Sequence, residues 1–249
     1  MPVYYNEFEP FAAAWLRELM ADGLIPKGDV DERSILDVRG SDLAGYDQCH
    51  FFAGIGGWSY ALRLAGWPDD RSVWTGSCPC QPLSSAGQQK GHADERHLWP
   101  AFYELIAECS PSTVFGEQVA SKIGREWLAG VRADLEDARY AVGAADLCAA
   151  GAGAPHIRQR LFWVAHAAEL LKRSSHDHQR SLSQSTLKIS KLRDSRHASI
   201  SWKSGWPGGE PETLVVANGI PNRVGTLRGA GNAIVPQIAA EFVMAFMEG

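Results

Sequence analysis

The chain has 249 residues and a mass of 27.1 kDa, enough for one hydrophobic core and at most a small appended lobe. Hydrophobic residues make up 45% and charged residues 21%, as in ordinary globular proteins, and no apolar run approaches the roughly 20 residues that span a bilayer. The acidic first residues lack the basic and then apolar pattern of a signal peptide. We therefore expect a cytoplasmic protein with no membrane association.

Charge is distributed unevenly along the chain. The formal net charge is −5, but residues 165–203 hold eight Lys/Arg against three Asp/Glu, and the remainder holds sixteen against twenty-six. A segment of charge +5 on a body of charge −10 predicts a local site for a polyanion. The same segment contains nine serines and few aromatic residues, so a solvated loop that is disordered in the free chain is an equally good interpretation.

The five cysteines are odd in number and show no C-x-x-C spacing: Cys49, Cys78, Cys80, Cys109 and Cys148. In a reducing compartment this pattern predicts free thiols. A metal held by Cys78 and Cys80 would need scattered histidines as further ligands, and no zinc-like spacing is present. We expect no metal.

The first thirty residues predict a strand, a helix and a second strand. "VYYNEF" is a short apolar strand, Pro10 suits a first helical turn, and Phe11, Trp15 and Leu19 recur at helical spacing. Asp22-Gly23 ends the helix, and "LIPKGDV" returns as a strand that ends near Asp29.

Residues 31–49 are a polar connection, after which strands and helices alternate. "CHFFAGIGG", "SVWTGSCPCQP", "TVFGEQV", "AVGAADLCAA" and "RQRLFWVAHA" predict strands, while "WSYALRLAGW", residues 100–109 and residues 122–138 predict helices. "GAGNAIVPQIAAEFVMAFM" predicts a final loop and an apolar helix. This alternation predicts an open, doubly wound α/β sheet.

Four features could carry chemistry, and each has an ordinary alternative. Gly54, Gly56 and Gly57 follow a strand and precede a helix, which fits a nucleotide-type cofactor turn or a plain tight turn. Cys80 ends a strand and is either a nucleophile or a structural thiol. Glu117 ends the next strand and is either a general acid or a solvated carboxylate. Arg158 and Arg160 share one face of a strand and belong either to a pocket or to the surface.

The order of these elements resembles that of the DNA cytosine-5 methyltransferases. The matching elements are F-x-G-x-G-G, G-x-x-P-C-Q-P-x-S, G-E-Q-V, R-x-R and G-N-A-I-V-P, with "GHADERHLW" as a further likeness. The resemblance covers nearly the whole chain except residues 165–215. It implies an S-adenosylmethionine-dependent methyltransferase fold, with a catalytic and cofactor-binding domain over 1–165, residues 226–249 returning to pack on it, and a small basic target-recognition region over 166–225.

The resemblance also implies a role for each matching residue. Cys80 would add as a thiolate to C6 of a flipped cytosine, Glu117 would protonate N3 and bind the exocyclic amine, and Arg158 and Arg160 would support the base pocket. S-adenosyl-L-methionine would be converted to S-adenosyl-L-homocysteine in a site formed by Phe52, Ala53, Gly54, Ile55, Gly57, Pro79, Leu98, Asn232 and Ala233. The expected DNA contacts are Gln81, Ser84, Lys172, Arg173, Arg180, Lys188, Lys191, Arg193 and Arg196.

One part of the family pattern is displaced along the chain. The family follows its glycine turn with a strand ending in Asn-Glu and another ending in Gly-Asp, whereas here Asn6-Glu7-Phe8 and Gly28-Asp29-Val30 precede the turn. We interpret this as a circular permutation of a phage-type enzyme, with Glu7 at the cofactor ribose and Asp29 at the adenine. Alternatively, residues 1–30 are an unrelated helical cap. The sequence does not determine on which face of the sheet the helix after Gly57 packs.

Three positions depart from the family: His50, Cys78 and His156 replace a common aspartate, proline and glutamine. None removes a reacting group. The sequence therefore predicts a monomeric DNA (cytosine-5)-methyltransferase of restriction-modification type that acts on double-stranded DNA without an obligate protein partner. The alternatives are an RNA cytosine-5 methyltransferase, a catalytically silent DNA-binding protein of the same fold, and transfer of a group other than methyl.

Overall fold

The computed structural model describes residues 2–79, 98–152, 154, 157–167 and 233–248. Seven strands form one sheet in the order β2-β1-β3-β4-β5-β7-β6. The strands are β1 Val3–Asn6, β2 Gly28–Asp31, β3 Gln48–Phe51, β4 Val73–Gly76, β5 Thr113–Val119, β6 Tyr140–Cys148 and β7 Gln159–Ala167. The helices are α1 Pro10–Ala21, α2 Gly57–Leu64, α3 Trp99–Cys109, α4 Lys122–Asp137 and α5 Pro236–Met247.

The first five strands are parallel, and β7 pairs antiparallel with both β5 and β6. Parallel strands joined by helices place their C-terminal ends at one edge of the sheet, which we call the carboxyl edge. The predicted open α/β sheet is confirmed.

The N-terminal segment forms one end of this sheet. Strand β1 pairs with β2 on one side and with β3 on the other, and all four of its residues are buried. Pro10 opens α1, and the Glu9 side chain accepts a hydrogen bond from Ala12 N. The helix buries Ala12, Ala13, Leu16, Leu19 and Met20, so only Leu19 of the predicted face is fully covered. Residues 2–31 are therefore not a separate helical cap.

The sheet is covered on both faces. Face A carries α1, α2 and α5, and the Tyr5 hydroxyl of β1 lies 3.0 Å from Ser59 Oγ of α2 across this face. Face B carries α3, α4 and two 3-10 turns at Ile35–Asp37 and Gly40–Leu43. These turns bury Ile35, Val38 and Leu43 against face B, so the predicted polar connection contributes to the core.

The unit β3–α2–β4 has an unusual hand. From β1 to β2 and from β3 to β4 the chain steps in opposite directions along the sheet, yet α1 and α2 both lie on face A. The two units must therefore have opposite hands. The unit β4–α3–β5 steps the same way as β3–α2–β4 but places its helix on face B, so it shares the hand of β1–α1–β2. Because about 98% of such crossovers are right-handed, β3–α2–β4 is the left-handed exception.

Among the helices in the described part of the chain, none has the length and apolar character that crossing a membrane requires.

Candidate functional site

The glycine turn joins β3 to α2 at the carboxyl edge. Phe52, Gly54 and Gly56 have φ angles of 51°, 55° and 80°, and α2 begins at Gly57. Glycine adopts positive φ without strain, whereas Phe52 does so at a cost of the order of 1 kcal/mol. The predicted tight turn is confirmed.

Glu7 contacts this turn from the neighbouring strand. Its Oε2 accepts a hydrogen bond of 2.6 Å from Gly54 N, and its Oε1 accepts one of 2.9 Å from Glu9 N. Burial raises the pKa of Glu7, while these two hydrogen bonds oppose the rise. The structure thus brings together Glu7 and the glycine turn, which are far apart in sequence.

The other predicted residues after β1 also lie at this edge. Asn6 is 3% exposed, and its Nδ2 donates to the carbonyls of Asp31 and Arg33, which fixes the end of β2 beside β1. Phe8 is 71% exposed, an unusual position for a large apolar side chain. Its ring is available to a ligand bound at the carboxyl edge.

An open cavity of about 600 Å³ lies beside β2 and is lined by Tyr4, Asp29, Val30, Asp31, Glu32, Arg33, Asp42 and Tyr46. Asp29 pairs with Tyr4 in the strand register and accepts a hydrogen bond of 2.7 Å from the Tyr46 hydroxyl. Asp31 pairs with Asn6, two residues nearer the carboxyl edge, and lies next to Glu7.

Asp31 also lines this cavity and was not among the residues predicted from the sequence. Its carboxylate accepts hydrogen bonds from the Tyr4 hydroxyl and from Arg33, and these interactions keep the pKa of Asp31 low against the effect of burial. The available signal was the alternation of side chains along a strand, since Asp29 and Asp31 share one face of β2.

An ion pair between the buried Glu117 and the partly buried Arg160 lies at the carboxyl edge of β5. Glu117 is 8% exposed, and Arg160 Nε of β7 lies 2.7 Å from its Oε1. Burial raises the pKa of Glu117, and the charges of Arg160 and Arg158 oppose the rise. A carboxyl in this setting can hold a proton at a higher pH than an exposed glutamate and can present it to a ligand.

Arg158 also contacts the C-terminal segment. Its Nη2 donates a 2.7 Å hydrogen bond to the carbonyl of Ala233, which lies just before α5. The sequence predicted that both arginines support one pocket. In the structure, Arg160 makes the ion pair with Glu117, and the charge of Arg158 also opposes the rise in the pKa of that carboxyl.

The segment that leads to Cys80 is held from both sides. Gln118 is 2% exposed, and its Nε2 donates to the carbonyl of Cys78 at 3.5 Å. Trp58 Nε1 donates to Ser77 Oγ at 2.9 Å. Pro79 follows as an exposed residue. Gln118 and Trp58 thus contact the segment that precedes Cys80, and neither was among the residues predicted from the sequence.

Cys78 itself is an inert thiol. It is 5% exposed, and burial raises its pKa far above the ordinary value of a cysteine. Within the described residues, no group of three or more His, Cys, Asp or Glu side chains could hold a metal ion.

The remaining described residues that the sequence predicts for the cofactor site lie on several elements. Leu98 packs against the core of face B, next to which Phe52 meets the Phe102 ring at a centroid distance of 6.1 Å. Ala53 and Ile55 lie within the turn, and Val30 packs beside α1 on face A.

Several predicted residues fall outside the described part of the chain: Cys80, Gln81, Ser84, His156, Lys172, Arg173, Arg180, Lys188, Lys191, Arg193, Arg196 and Asn232. Nearly all of the predicted target-recognition region, 166–225, falls there too.

A comparison with protein families identifies the fold's relatives. The model of the C-5 cytosine-specific DNA methylase family matches residues 67–209. The chain belongs to this family. The resemblance noted in the sequence is thereby confirmed at the level of the family.

Individual relatives match parts of the chain. The Type II methyltransferase M.AplI of Arthrospira platensis is 37% identical over 105 residues, which are 41% of this chain and 30% of that protein. A DNMT2 mutant of Spodoptera frugiperda is 14% identical with a TM-score of 0.44. The match covers 68% of this chain and 43% of the DNMT2 chain. S. pombe Dnmt2 is 18% identical with a TM-score of 0.44, covering 67% and 43%. The chain thus spans less than half the length of each.

Proposed function

We propose that the chain is a DNA (cytosine-5)-methyltransferase that uses S-adenosylmethionine and a covalent bond between Cys80 and C6 of a flipped cytosine. The observation that carries the proposal is the ion pair of the buried Glu117 with Arg160 at the carboxyl edge, in a chain of this family. The neighbouring strand β4 leads directly into Pro79-Cys80. A proton-holding carboxyl on β5 and a nucleophile that follows β4 in the sequence match what addition to a cytosine ring requires.

The residues at the glycine turn fit S-adenosylmethionine. Two glycines with positive φ allow a close approach of ligand to backbone, and Glu7 presents a carboxylate beside them. In this proposal Glu7 accepts hydrogen bonds from the ribose hydroxyls and the exposed ring of Phe8 covers the adenine. The bound cofactor supplies an electrophilic methyl group.

We further propose that Asp31 rather than Asp29 is the carboxylate on the adenine side. Both line the same cavity, but Asp31 lies level with Asn6, whereas Asp29 lies two residues, or about 6.6 Å, further from the carboxyl edge.

The proposed reaction uses the side chains of Cys80 and Glu117. The Cys80 thiolate would form a bond to C6 while N3 takes the proton of Glu117. The electron pair that accumulates at C5 would then bond to the methyl carbon, whose bond to the sulfonium sulfur breaks and leaves S-adenosylhomocysteine. Loss of the C5 proton to solvent water would expel the Cys80 thiolate, and N3 would return its proton to the Glu117 carboxylate, which restores the ring. Arg160 orients the Glu117 carboxyl through the 2.7 Å contact and neutralises the carboxylate left after proton transfer.

The circular permutation remains part of the proposal, and three findings support it. Strands β1 and β2 lie beyond β3, in the positions that the family's Asn-Glu and Gly-Asp strands would take after the glycine turn. A permutation also accounts for the left-handed unit β3–α2–β4. In it, α2 stays on face A, while the strand that follows α2 in the chain changes from one flank of β3 to the other. The family match begins at residue 67, after the displaced segment and the turn.

Duplex DNA is the proposed substrate, with residues 166–225 as the recognition region and 1–165 together with 226–249 as the catalytic domain. The charge of +5 over residues 165–203 can neutralise phosphates, which would make binding sensitive to salt. The name of the M.AplI relative, a Type II methyltransferase, also favours this substrate class.

The experiment is transfer of labelled methyl from S-adenosylmethionine, with unmethylated duplex DNA and transfer RNA in separate and competing reactions. We expect label in DNA only, and none with Cys80→Ser, which should still bind DNA. Label in RNA alone would show that the substrate is RNA and not DNA. Transfer by Cys80→Ser at the wild-type rate would remove Cys80 as the nucleophile. Absence of transfer with retained DNA binding would support the silent binding protein.

A further inference from the structure

The contact between Arg158 and Ala233 joins the start of β7 to the segment before α5. In the proposed reaction, the first lies on the base side of the site and the second on the cofactor side. Arg158 lies one residue before β7 and is half-buried, and its Nη2 donates to the Ala233 carbonyl at 2.7 Å across a separation of 75 residues. A hydrogen bond with a charged donor is stronger than a neutral one. Arg158 therefore holds the start of the C-terminal segment at a defined point.

The segment held by Arg158 leads directly to the glycine turn. Ile234 is 7% exposed and packs with Trp58, Ala61 and Leu62 of α2 on face A. The contact is close, because a Cβ added at Gly57 would lie 2.8 Å from Ile234 Cγ1. Ala233, Ile234 and Val235 thus form a strip between Arg158 and the first turn of α2.

Arg158 also interacts electrostatically with Glu117. Burial and the charge of Arg160 lower the pKa of Arg158, and the charge of Glu117 raises it. The two arginines thus act on one carboxyl, while Arg160 makes the direct ion pair and Arg158 makes the hydrogen bond to Ala233.

We propose that Arg158 is a positioning residue that fixes the strip Ala233–Val235 against the glycine turn and so aligns the cofactor side of the site with the base side. The proposal rests on the function proposed above and assigns Arg158 a different task from Arg160. A side chain without the charged donor would let the strip move away from α2, which would loosen the cofactor site.

The test compares the wild type with Arg158→Met, Arg158→Lys and the control Arg132→Met, which removes an exposed arginine paired with Glu136 on α4. Hydrogen exchange of the Ile238 and Ala239 amides, both bonded to the Val235 carbonyl, reports on the strip without cofactor or substrate. Calorimetry gives the dissociation constant of S-adenosylmethionine, and single-turnover transfer at saturating cofactor gives the rate of the chemical step.

For Arg158→Met we expect exchange of these amides and the cofactor dissociation constant to rise about tenfold or more. Arg158→Lys should show a smaller rise in both the amide exchange and the cofactor dissociation constant. Arg132→Met should change neither quantity. Unchanged exchange would overturn the proposal. So would an unchanged cofactor affinity with a lost rate, which would place Arg158 at the base. Failure of the wild type to bind the cofactor would instead refute the proposed function, while the exchange measurement would still judge the contact.

Discussion

Glu7 Oε2 lies 2.6 Å from Gly54 N, although the two residues are 47 positions apart and Glu7 comes first in the chain. This hydrogen bond ties the end of β1 to the turn after β3, because the two strands are parallel neighbours. The carboxylate and the glycine turn thus form one surface at the carboxyl edge, even though the connection between them passes through β2 and two 3-10 turns.

Glu7→Gln should weaken the binding of S-adenosylmethionine about tenfold at neutral pH, because the amide is a poorer acceptor for ribose hydroxyls than a carboxylate. Burial raises the pKa of Glu7 above its usual value of 4.5, so the wild-type affinity should start to fall at a higher pH than for an exposed glutamate as the solution is acidified. Calorimetry over a pH series measures both effects. The Glu7→Gln variant should show no such acid limb, and an unchanged affinity would remove Glu7 from the cofactor site.

Asp31→Asn should weaken cofactor binding more than Asp29→Asn does. Asp31 is level with Asn6 at the carboxyl edge, while Asp29 lies two residues further from that edge. Equilibrium dialysis with labelled cofactor measures the two affinities, and thermal unfolding checks that the loss of the Arg33 ion pair has not unfolded the protein. A larger effect of Asp29→Asn would return the adenine contact to that residue.

Glu117→Gln should lower the single-turnover rate of methyl transfer by about 100-fold or more, since the amide can hold the base but cannot deliver a proton. Burial raises the pKa of Glu117, so the protonated form persists to higher pH and the wild-type rate should fall as pH rises through that pKa. The variant should lack this basic limb. Glu126→Gln, on exposed helix surface, is the control and should retain the wild-type profile. A basic limb that survives in Glu117→Gln would show that another group supplies the proton.

His50 should make the fold sensitive to mild acid. It is 1% exposed in the middle of β3, and burial lowers its pKa to about 3. The unfolded chain binds this proton near pH 6.5, so the stability is present above that value and is lost as pH falls toward 3. Between about pH 7 and pH 5 the wild type should lose about 2 kcal/mol more of its free energy of unfolding than His50→Asn. Urea unfolding at both pH values measures the difference, and equal losses would mean that His50 is not the acid-sensitive group.

The sheet could be predicted because its strands are short apolar runs that end in Gly, Pro or charged residues. "TVFGEQV" predicted β5, which ends at Val119, two residues after the predicted end at Glu117, and Pro10 marked the start of α1. The buried stripe of α1 was harder to predict, because aromatic residues at helical spacing stood beside a second possible stripe centred on Leu16.

Three features of the site depend on tertiary structure. Which of Asp29 and Asp31 lies at the edge depends on the register of β2 with β1, and both residues point to the same face. The different partners of Arg158 and Arg160 depend on where the C-terminal segment passes. The face chosen by α2 could not be derived, because the handedness rule and the expected family arrangement favour opposite faces.

The most direct measurement is nucleoside analysis of unmethylated duplex DNA after incubation with the protein and S-adenosylmethionine, by mass spectrometry with base-resolution sequencing. We predict 5-methylcytosine in one short sequence context, and none when Cys80 is replaced by serine. Methylation at an exocyclic nitrogen, or an unmodified product from protein that binds both cofactor and DNA, would contradict the proposed function.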